Sequence, residues 1–357
     1  MFQKRLYKYV PVYINNIATA NPDHKYDLEE IATFLKQSAI NETAKRKVNI
    51  IAKKSGINHR YSVIDDFRLP QNPVLFNGVS PLVEKRMRVY QLHAMPLALK
   101  ALKKLKFQAD EITHIITVSC TGMSSPGLEL QLTKALDLNP DCTKLAVNFI
   151  GCHGVFHALK HAKSFVDQDR SAKVLIVSVE LCSIHYQPSD DDDSILANVL
   201  FGDGSAACIV SGEPTMGSVL RIDGFKQHYL PDQSEMMAWN IHSSGFLLKL
   251  SAYVPKAIFQ GIGFLFNLNE ENAKTWAIHP GGKNIIDAVE KGLKLNDEQT
   301  LASRETLAEV GNLSSASILF VLHKLMQQNR KEETLCALGF GPGLTIEKMN
   351  GELLYSP

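Results

Sequence analysis

Short apolar segments that end in glycine-rich turns and lead into helical patterns are the feature that most restricts the fold of this chain. Residues 113–118 form a β-branched run, a turn-rich segment follows, and helical apolar spacing begins at Leu128. Residues 145–150 form a second such run, which ends at Gly151 before a further helical pattern at 155–166. Strands that alternate with helices in this way predict a layered α/β fold.

The same order of elements returns in the second part of the chain. Predicted strands at 275–278 and 335–338 enclose two helical segments, and a glycine-rich turn and a last strand follow them. The best boundary between the two parts is the Ser-Gly-Glu-Pro segment at 211–214. The sequence therefore predicts two α/β halves, residues 1–212 and 213–357, that pack as one body.

Charge and hydropathy exclude several classes of protein. The 38 Lys and Arg residues are balanced by 37 Asp and Glu residues, so no broad positive field attracts nucleic acid or an acidic membrane. There is no run of 18 apolar residues and no signal-like apolar stretch at the N-terminus. The six cysteines include no Cys-x-x-Cys pair and are too sparse for a disulfide scaffold. We expect a cytoplasmic protein with no nucleic-acid partner and no integral membrane segment.

Cys152 is the sharpest candidate for chemistry. It follows an apolar run and Gly151, and a helical pattern begins just after it, which puts its sulfur near a helix N-terminus. Unpaired amides and the helix dipole favour an anion there, so the pKa of this thiol is expected to lie below its ordinary value. The alternative is a buried structural cysteine, which is what most free cysteines are.

Two further residues could assist such a nucleophile. His279 ends a predicted strand and precedes a Pro-Gly-Gly turn, so its imidazole is expected to face the space beyond the strand. Asn312 lies at the start of a helical run, where an ordinary N-cap is the alternative role. His279 can hold the Cys152 thiolate as an imidazolium pair. Both His279 and Asn312 can donate hydrogen bonds to a thioester oxygen whose charge grows during reaction.

Five motifs follow one another along the chain. They are Gly151-Cys152, Phe201-Gly202-Asp203-Gly204, His279-Pro280-Gly281-Gly282, Gly311-Asn312-Leu313-Ser314-Ser315 and Gly339-Phe340-Gly341-Pro342-Gly343. In order and spacing they resemble the type III polyketide synthases, the chalcone- and stilbene-synthase-like enzymes, over nearly the whole chain. The resemblance implies a thiolase-like α/β fold with a duplicated five-layered αβαβα core and a homodimer. It also implies that no metal or redox cofactor is needed.

The resemblance implies an activity as well. An acyltransferase of this family loads an acyl group from acyl-CoA onto the cysteine, here Cys152, and extends it by repeated decarboxylative condensation with malonyl-CoA. His279 and Asn312 would then be the thiolate partner and the oxyanion donors. Cyclisation of the grown chain would give a pyrone or a resorcinol.

Further site residues are carried over from the family motifs. Phe201 resembles the aromatic gatekeeper between the coenzyme A tunnel and the reaction cavity, and Cys120 and Ser314 are expected in the substrate pocket. Lys54 and Arg60 match a basic stretch that meets coenzyme A phosphates, with a solvated charged face as the alternative role.

Two positions depart from the plant enzymes of the family. Gly245 stands where a second gatekeeper Phe is expected, and His185 stands where plant members carry a cavity-lining Thr. These departures make the chain look more like bacterial alkylresorcinol and alkylpyrone synthases. A missing aromatic ring at Gly245 is expected to widen the passage and to admit a long fatty acyl starter.

Three other interpretations stay open at the level of the sequence. A ketoacyl synthase of the fatty-acid-initiating kind shares the Cys-His-Asn set and performs a single condensation. A catalytically inactive dimeric binding scaffold is the candidate from another class. His153, His157 and His161 share one helix face and could bind zinc, but no carboxylate or cysteine at a matching interval completes the set, so no metal site is predicted.

Overall fold

The structure is a computed structural model that describes residues 10–77, 80–266, 273–328 and 331–356. Its central feature in this part of the chain is a nine-stranded mixed sheet with the order β11-β12-β13-β8-β1-β7-β6-β4-β5. The strands are β1 (Val12–Ala20), β2 (His24–Asp27), β3 (His59–Ser62), β4 (His114–Ser119), β5 (Thr143–Asn148), β6 (Lys173–Leu181), β7 (Asp203–Ser211), β8 (Gly217–Tyr229), β9 (Met237–His242), β10 (Gly245–Leu250), β11 (Thr275–Ile278), β12 (Glu333–Gly341) and β13 (Thr345–Ser356). The pairs β2–β3 and β9–β10 form two small separate sheets.

Helices cover both faces of this sheet. They are α1 (Leu28–Gln37), α2 (Glu42–Lys54), α3 (Val83–Leu102), α4 (Leu128–Ala135), α5 (Gly154–Gln168), α6 (Asp192–Leu200), α7 (Val254–Gly261), α8 (Lys283–Leu293), α9 (Asp297–Val310) and α10 (Ser317–Gln328). No helix in the described ranges is both long and apolar enough to cross a membrane.

The two halves of the sheet repeat one pattern. Parallel pairs lie at its two ends, β4 with β5 and β6 at one end and β11 with β12 at the other. Antiparallel pairs fill the middle, and β1 joins β7 to β8. Strands β6 and β7 are almost wholly buried, which explains their continuous apolar sequences, because both of their faces are covered.

Helices α5 and α10 belong to one buried apolar cluster that takes residues from both ends of the sheet. Phe156 and Leu159 of α5 and Ile318 and Leu322 of α10 are fully or almost fully buried in it. This packing fixes the N-terminal ends of both helices relative to the strands. The catalytic candidates lie close to those ends.

Two sequence expectations differ from the structure in detail. The single helix predicted at 314–326 is divided, because Ser314–Ala316 forms a 3₁₀ turn and α10 starts only at Ser317. The predicted turn at 339–343 is partly strand, since β12 continues to Gly341. Both differences lie beside the candidate site. The backbone there makes hydrogen bonds to site residues and departs from regular helix and turn geometry.

Candidate active site

Three separate segments of the chain meet at one apolar cavity. Cys152 lies between β5 and α5, His279 follows β11, and Asn312 lies between α9 and α10. The cavity is lined by Cys120, Thr121, Gly151, Cys152, Cys182, Phe201, Met237, Trp239, Leu248, Leu250, His279, Gly281, Ile285, Asn312, Ser314, Phe340 and Pro342. The structure therefore brings together the Cys, the His and the Asn that the sequence singled out.

The turn that presents Cys152 depends on a glycine. Gly151 has a φ of +92°, and a Cβ there would lie 2.0 Å from Cδ of Pro342. Beneath the turn, the Gly151 N–H donates to Sγ of Cys120 at 3.0 Å, and the Cys120 thiol donates to the Gly151 carbonyl at 3.3 Å. No larger residue fits at position 151, so the chain can pass tightly from the strand end to the helix that starts at Gly154.

The environment of Cys152 opposes the lowered thiol pKa that the sequence predicts. Burial raises the pKa of this thiol to about 12, although a hydrogen bond with Ser314 acts in the opposite direction. Burial also lowers the pKa of His279 to about 3. The apolar cavity therefore disfavours both the thiolate and the imidazolium, so burial does not support the thiolate–imidazolium pair that the sequence predicts.

His279 is held by its backbone and not by its ring. Its N–H donates to the carbonyl of Leu338 at 2.8 Å, and its own carbonyl accepts from Gly281 N–H at 2.8 Å. Both ring nitrogens are buried and have no hydrogen-bond partner among the described residues. A neutral imidazole left in this way can take a proton at one nitrogen and donate one from the other.

Asn312 is oriented by its neighbours. Its Oδ1 accepts from the Ser314 N–H at 2.9 Å, and its Nδ2 donates to the carbonyl of Gly281 at 3.2 Å. The amide nitrogen carries two N–H bonds, so one of them remains for a ligand in the cavity. This arrangement suits an oxyanion donor. The bond that Oδ1 accepts from the Ser314 N–H is the one feature that Asn312 shares with an N-cap.

Phe201 lies between two adjacent cavities and lines both of them. The catalytic cavity and a second, more polar one beside it share Phe201, Cys182, Trp239 and Leu248 as lining residues. This position is the one that a gatekeeper would take, so the role of Phe201 stays a prediction with structural support. The other two pocket candidates, Cys120 and Ser314, line the catalytic cavity.

His185 lines the second cavity as a neutral ring. Its Nε2–H donates to the carbonyl of Thr121 at 2.7 Å, and its Nδ1 accepts from the Phe246 N–H at 3.2 Å. Burial lowers the pKa of His185 to about 3. The phenyl ring of Phe246 stacks on it at a centroid distance of 4.3 Å.

The expectation for Gly245 is wrong. This glycine lines neither of the two cavities. Its φ is +125°, and a Cβ there would lie 2.7 Å from Nε of the buried Arg86. The next residue, Phe246, supplies an aromatic ring to the wall of the second cavity. The structure therefore places Phe246, and not Gly245, in a cavity wall, since adjacent residues of a strand face opposite ways.

The expectation for Arg60 also needs correction. Its guanidinium donates to backbone carbonyls of Asn198 and Phe201 and lies 4.7 Å from the ring centroid of Phe67. The residue is only 3% exposed, so it supports the segment that carries Phe201 and does not form the exposed basic patch that the sequence predicts. It also lines the second cavity, and its Nη2 has no hydrogen-bond partner among the described residues, so its role in coenzyme A binding stays a prediction. Lys54, at the end of α2, is exposed, and its role in coenzyme A binding stays a prediction.

Sequence reasoning missed several residues of the site. Trp239 and Leu248 come from the β9–β10 hairpin, and the indole N–H of Trp239 donates to the Cys120 carbonyl at 2.9 Å. Glu180 is fully buried below the cavity, where it accepts from the Cys120 N–H and the Thr121 hydroxyl. Trp239 could have been singled out from the sequence because it is one of only two tryptophans. Glu180 could have been singled out because it is a lone acidic residue in an apolar strand.

Comparisons with known proteins agree with this geometry. The profile for the chalcone and stilbene synthases, N-terminal domain, matches residues 5–214, and that for the C-terminal domain matches residues 221–353. The alpha-pyrone synthesis polyketide synthase-like Pks18 of Mycobacterium tuberculosis is 29% identical over 355 residues, which is 94% of this chain and 90% of the relative.

Two solved structures are similar over almost their full lengths. PKS-I from the brown alga Ectocarpus siliculosus has a TM-score of 0.87 and 26% identity, with 98% of this chain and 99% of that chain covered. The 1,3,6,8-tetrahydroxynaphthalene synthase of Streptomyces coelicolor has a TM-score of 0.85 and 25% identity, with 97% and 100% covered.

These matches span nearly the whole chain, which belongs to the chalcone and stilbene synthase family. Within that family it is a type III polyketide synthase, an acyltransferase with a thiolase-like fold. The fold, the reaction class and the family that the sequence predicted are confirmed.

Proposed function

We propose that this polyketide synthase loads a fatty acyl starter from acyl-CoA onto Cys152, extends it with malonyl-CoA and releases a cyclised pyrone or resorcinol. The observation that carries the proposal is one cavity lined by Cys152, Asn312 and a His279 ring with both nitrogens unpartnered. The starter assignment is supported by the apolar cavity wall and by the relative named for alpha-pyrone synthesis.

The loading step is proposed to start from a neutral thiol and a neutral imidazole, because burial disfavours both charged forms. His279 takes the proton of the Cys152 thiol as the sulfur attacks the acyl-CoA carbonyl, which avoids a standing thiolate in an apolar cavity. The tetrahedral oxyanion accepts a hydrogen bond from the Asn312 amide. The C–S bond to coenzyme A then breaks, and the proton on His279 passes to the departing thiolate. Cys152 keeps the acyl group as a thioester.

Extension uses the same groups in another order. Malonyl-CoA loses CO₂, and the electron pair of the broken C–C bond forms an enolate whose oxygen lies between His279 and Asn312. The enolate carbon attacks the Cys152 thioester, and the sulfur leaves as a thiolate as the new C–C bond forms. This thiolate takes a proton from water through His279, which restores the thiol for the next loading step. The lengthened chain, now on coenzyme A, returns to Cys152 until it cyclises. No step needs a metal or a redox cofactor, because the thioester itself acidifies the nucleophilic carbon.

The test combines product masses with an intact-protein mass. The purified enzyme is incubated with acetyl-, hexanoyl-, aromatic and long-chain acyl-CoA, each with malonyl-CoA, and products are identified by mass spectrometry. We expect several condensations on long-chain starters, and an acyl adduct on the wild type and on Cys142→Ala but not on Cys152→Ala. Cys142 is a matched control, since it is buried outside the cavity. A single condensation that requires acyl carrier protein would indicate a ketoacyl synthase, and no adduct at all would indicate an inactive scaffold.

The proposal also includes the assembly of the protein, the division of the chain and its location and partners. A homodimer is supported by β5, which ends the nine-stranded sheet with only β4 beside it in the described ranges and leaves one edge open to a second copy. Residues 1–212 and 213–357 as two halves are supported by the repeated sheet pattern. The expectation that the enzyme binds no nucleic acid is supported by the net charge of +1, and a cytoplasmic location stays a prediction. Analytical ultracentrifugation tests the dimer.

A further inference from the structure

A second cluster of chemically capable side chains lies behind the Cys152 turn, outside the cavity used for catalysis. His153 and His157 come from the start of α5, and Glu347 comes from β13. One potential ligand atom of each lies within 4.8 Å of those of the other two. His153 is 5% exposed and Glu347 is not exposed at all. The proposed reaction uses none of them.

One buried polar atom of each residue in this cluster is unsatisfied. His153 Nδ1, His157 Nε2 and Glu347 Oε1 are all buried without a hydrogen-bond partner in the described part of the chain. Buried polar groups almost always have a partner, so three orphans at one place indicate an occupant that supplies bonds to all of them. His157 Nε2 and Glu347 Oε1 are 3.4 Å apart, too long for a good hydrogen bond.

One ligand separation in this cluster already equals that around a small ion, and the other two are no longer than 4.8 Å. At metal–ligand distances of about 2.0–2.1 Å, neighbouring ligands of a tetrahedral ion are about 3.3 Å apart, which the His157–Glu347 separation already matches. Histidines four residues apart on a helix face the same side.

We propose that His153, His157 and Glu347 bind one divalent transition-metal ion of the zinc type. Two imidazoles and one carboxylate form a ligand set that such ions accept, with one or more positions left for water. Glu347 is the ligand that the sequence could not supply, because it lies on β13 at the far end of the chain. His161, the third histidine of the helix, is exposed and lies outside the cluster.

Lys160 gives the site a distinctive property. Its ammonium lies 2.6 Å from Oε2 of Glu347, which fixes the carboxylate with Oε1 toward His157. The same ammonium repels a divalent cation placed among the ligands. Removal of this charge should therefore tighten metal binding, even though it removes a bond from Glu347. If Lys160 only supported the structure, its replacement would not increase the affinity for a metal ion.

The ion would connect the turn that carries Cys152 to the last strand, β13. His153 follows Cys152 directly, and its ring packs so tightly on the backbone of Gly341 that a Cβ there would lie 1.5 Å from Nδ1. A metal bound at His153 therefore ties α5 to β13 just behind the catalytic cavity. The expected consequence is a higher melting temperature for the metal-loaded protein.

The experiment measures binding directly on the full-length, chelator-treated protein. ZnCl₂ is titrated by calorimetry and CoCl₂ is followed by its visible absorption, in the wild type and in a Cys152→Ala background that removes the catalytic thiol as a competing ligand. We expect one ion per chain in both. His157→Ala should lower the affinity at least about 100-fold, the matched control His161→Ala should leave it unchanged, and Lys160→Gln should raise it roughly tenfold.

Three results would overturn the proposal. One is the absence of stoichiometric binding of either metal to the wild type. Another is binding that disappears in the Cys152→Ala background, which would assign the ion to the catalytic cavity. The third is an equal loss of affinity in His157→Ala and His161→Ala, which would indicate nonspecific binding along the helix. A circular dichroism spectrum of His157→Ala that matches the wild type separates lost affinity from failed folding.

Discussion

Phe201 and Asn312 are joined through their backbones across the two halves of the chain. The Gly202 N–H donates to the Asn312 carbonyl at 3.0 Å, and the Asn312 N–H donates to the Leu200 carbonyl at 2.8 Å. The proposed gate and the proposed oxyanion donor therefore form one rigid unit. A change that moves either segment is expected to alter both the shape of the cavity and the stabilisation of the enolate.

Loss of the Asn312 amide should impair chemistry rather than folding. Asn312→Ala removes a donor to the enolate oxygen, and we expect malonyl-CoA decarboxylation and product formation to fall by roughly 10²–10³-fold. Release of CO₂ and product are both measured. Asn296→Ala is the matched control, because Asn296 caps α9 by accepting from the Gln299 N–H. It should lower the melting temperature and leave the rate unchanged. A variant Asn312→Ala that behaves like this control would show that Asn312 is only a structural cap.

The reactivity of Cys152 should increase steadily with alkaline pH. Burial places the pKa of its thiol at about 12, so the thiolate fraction rises about tenfold per pH unit below that value. The pKa of His279, about 3, predicts no imidazolium to stabilise a thiolate near neutrality. We expect the iodoacetamide inactivation rate of the free enzyme to show no plateau between pH 6 and 9, with pH points about one unit apart. A plateau in that range that disappears in His279→Ala would instead establish the ion pair.

Substitutions at Gly245 and Phe246 should have different effects. Gly245→Ala introduces a Cβ at a φ of +125° and against Arg86, so it should lower the melting temperature without a change in starter preference. Phe246→Ala removes a ring from the second cavity, so competition between hexanoyl- and long-chain acyl-CoA should shift toward the longer chain. A shift of preference in Gly245→Ala and none in Phe246→Ala would restore the sequence-based assignment.

Lys54 and Arg60 provide a paired test of the basic segment. Lys54→Ala should raise KM for acyl-CoA while the melting temperature stays constant, because the side chain is exposed. Arg60→Met should cost about 1–3 kcal/mol of unfolding free energy, since backbone carbonyls of Asn198 and Phe201 lose their donor. Kinetics at varied acyl-CoA and thermal unfolding are measured for both. An increase in KM with unchanged stability for Arg60→Met would return it to the coenzyme A site.

Much of the fold could be predicted from local patterns. The runs that became β4, β6 and β7 are short and apolar, and buried strands of an α/β sheet have this composition. Gly151 could be read as the end of a strand because the turn there needs a residue without a side chain. The segment at 314–326 was less predictable, since its 3₁₀ turn beside Asn312 depends on bonds to the site and not on helix propensity.

The sequence alone determined the class of this protein and its three catalytic candidates, because residue types and motif order specify which chemistry is possible. Only the tertiary structure shows that Cys152 and His279 lie in a cavity that disfavours their charged forms, since desolvation depends on the apolar walls that distant segments supply. It also decided that Phe246 rather than Gly245 lines a cavity and that Arg60 is buried. Glu347 joins two histidines only after β13 packs beside α5, which no local pattern reveals. Contacts between distant segments form only when the chain folds, and the environment of each side chain is determined by them.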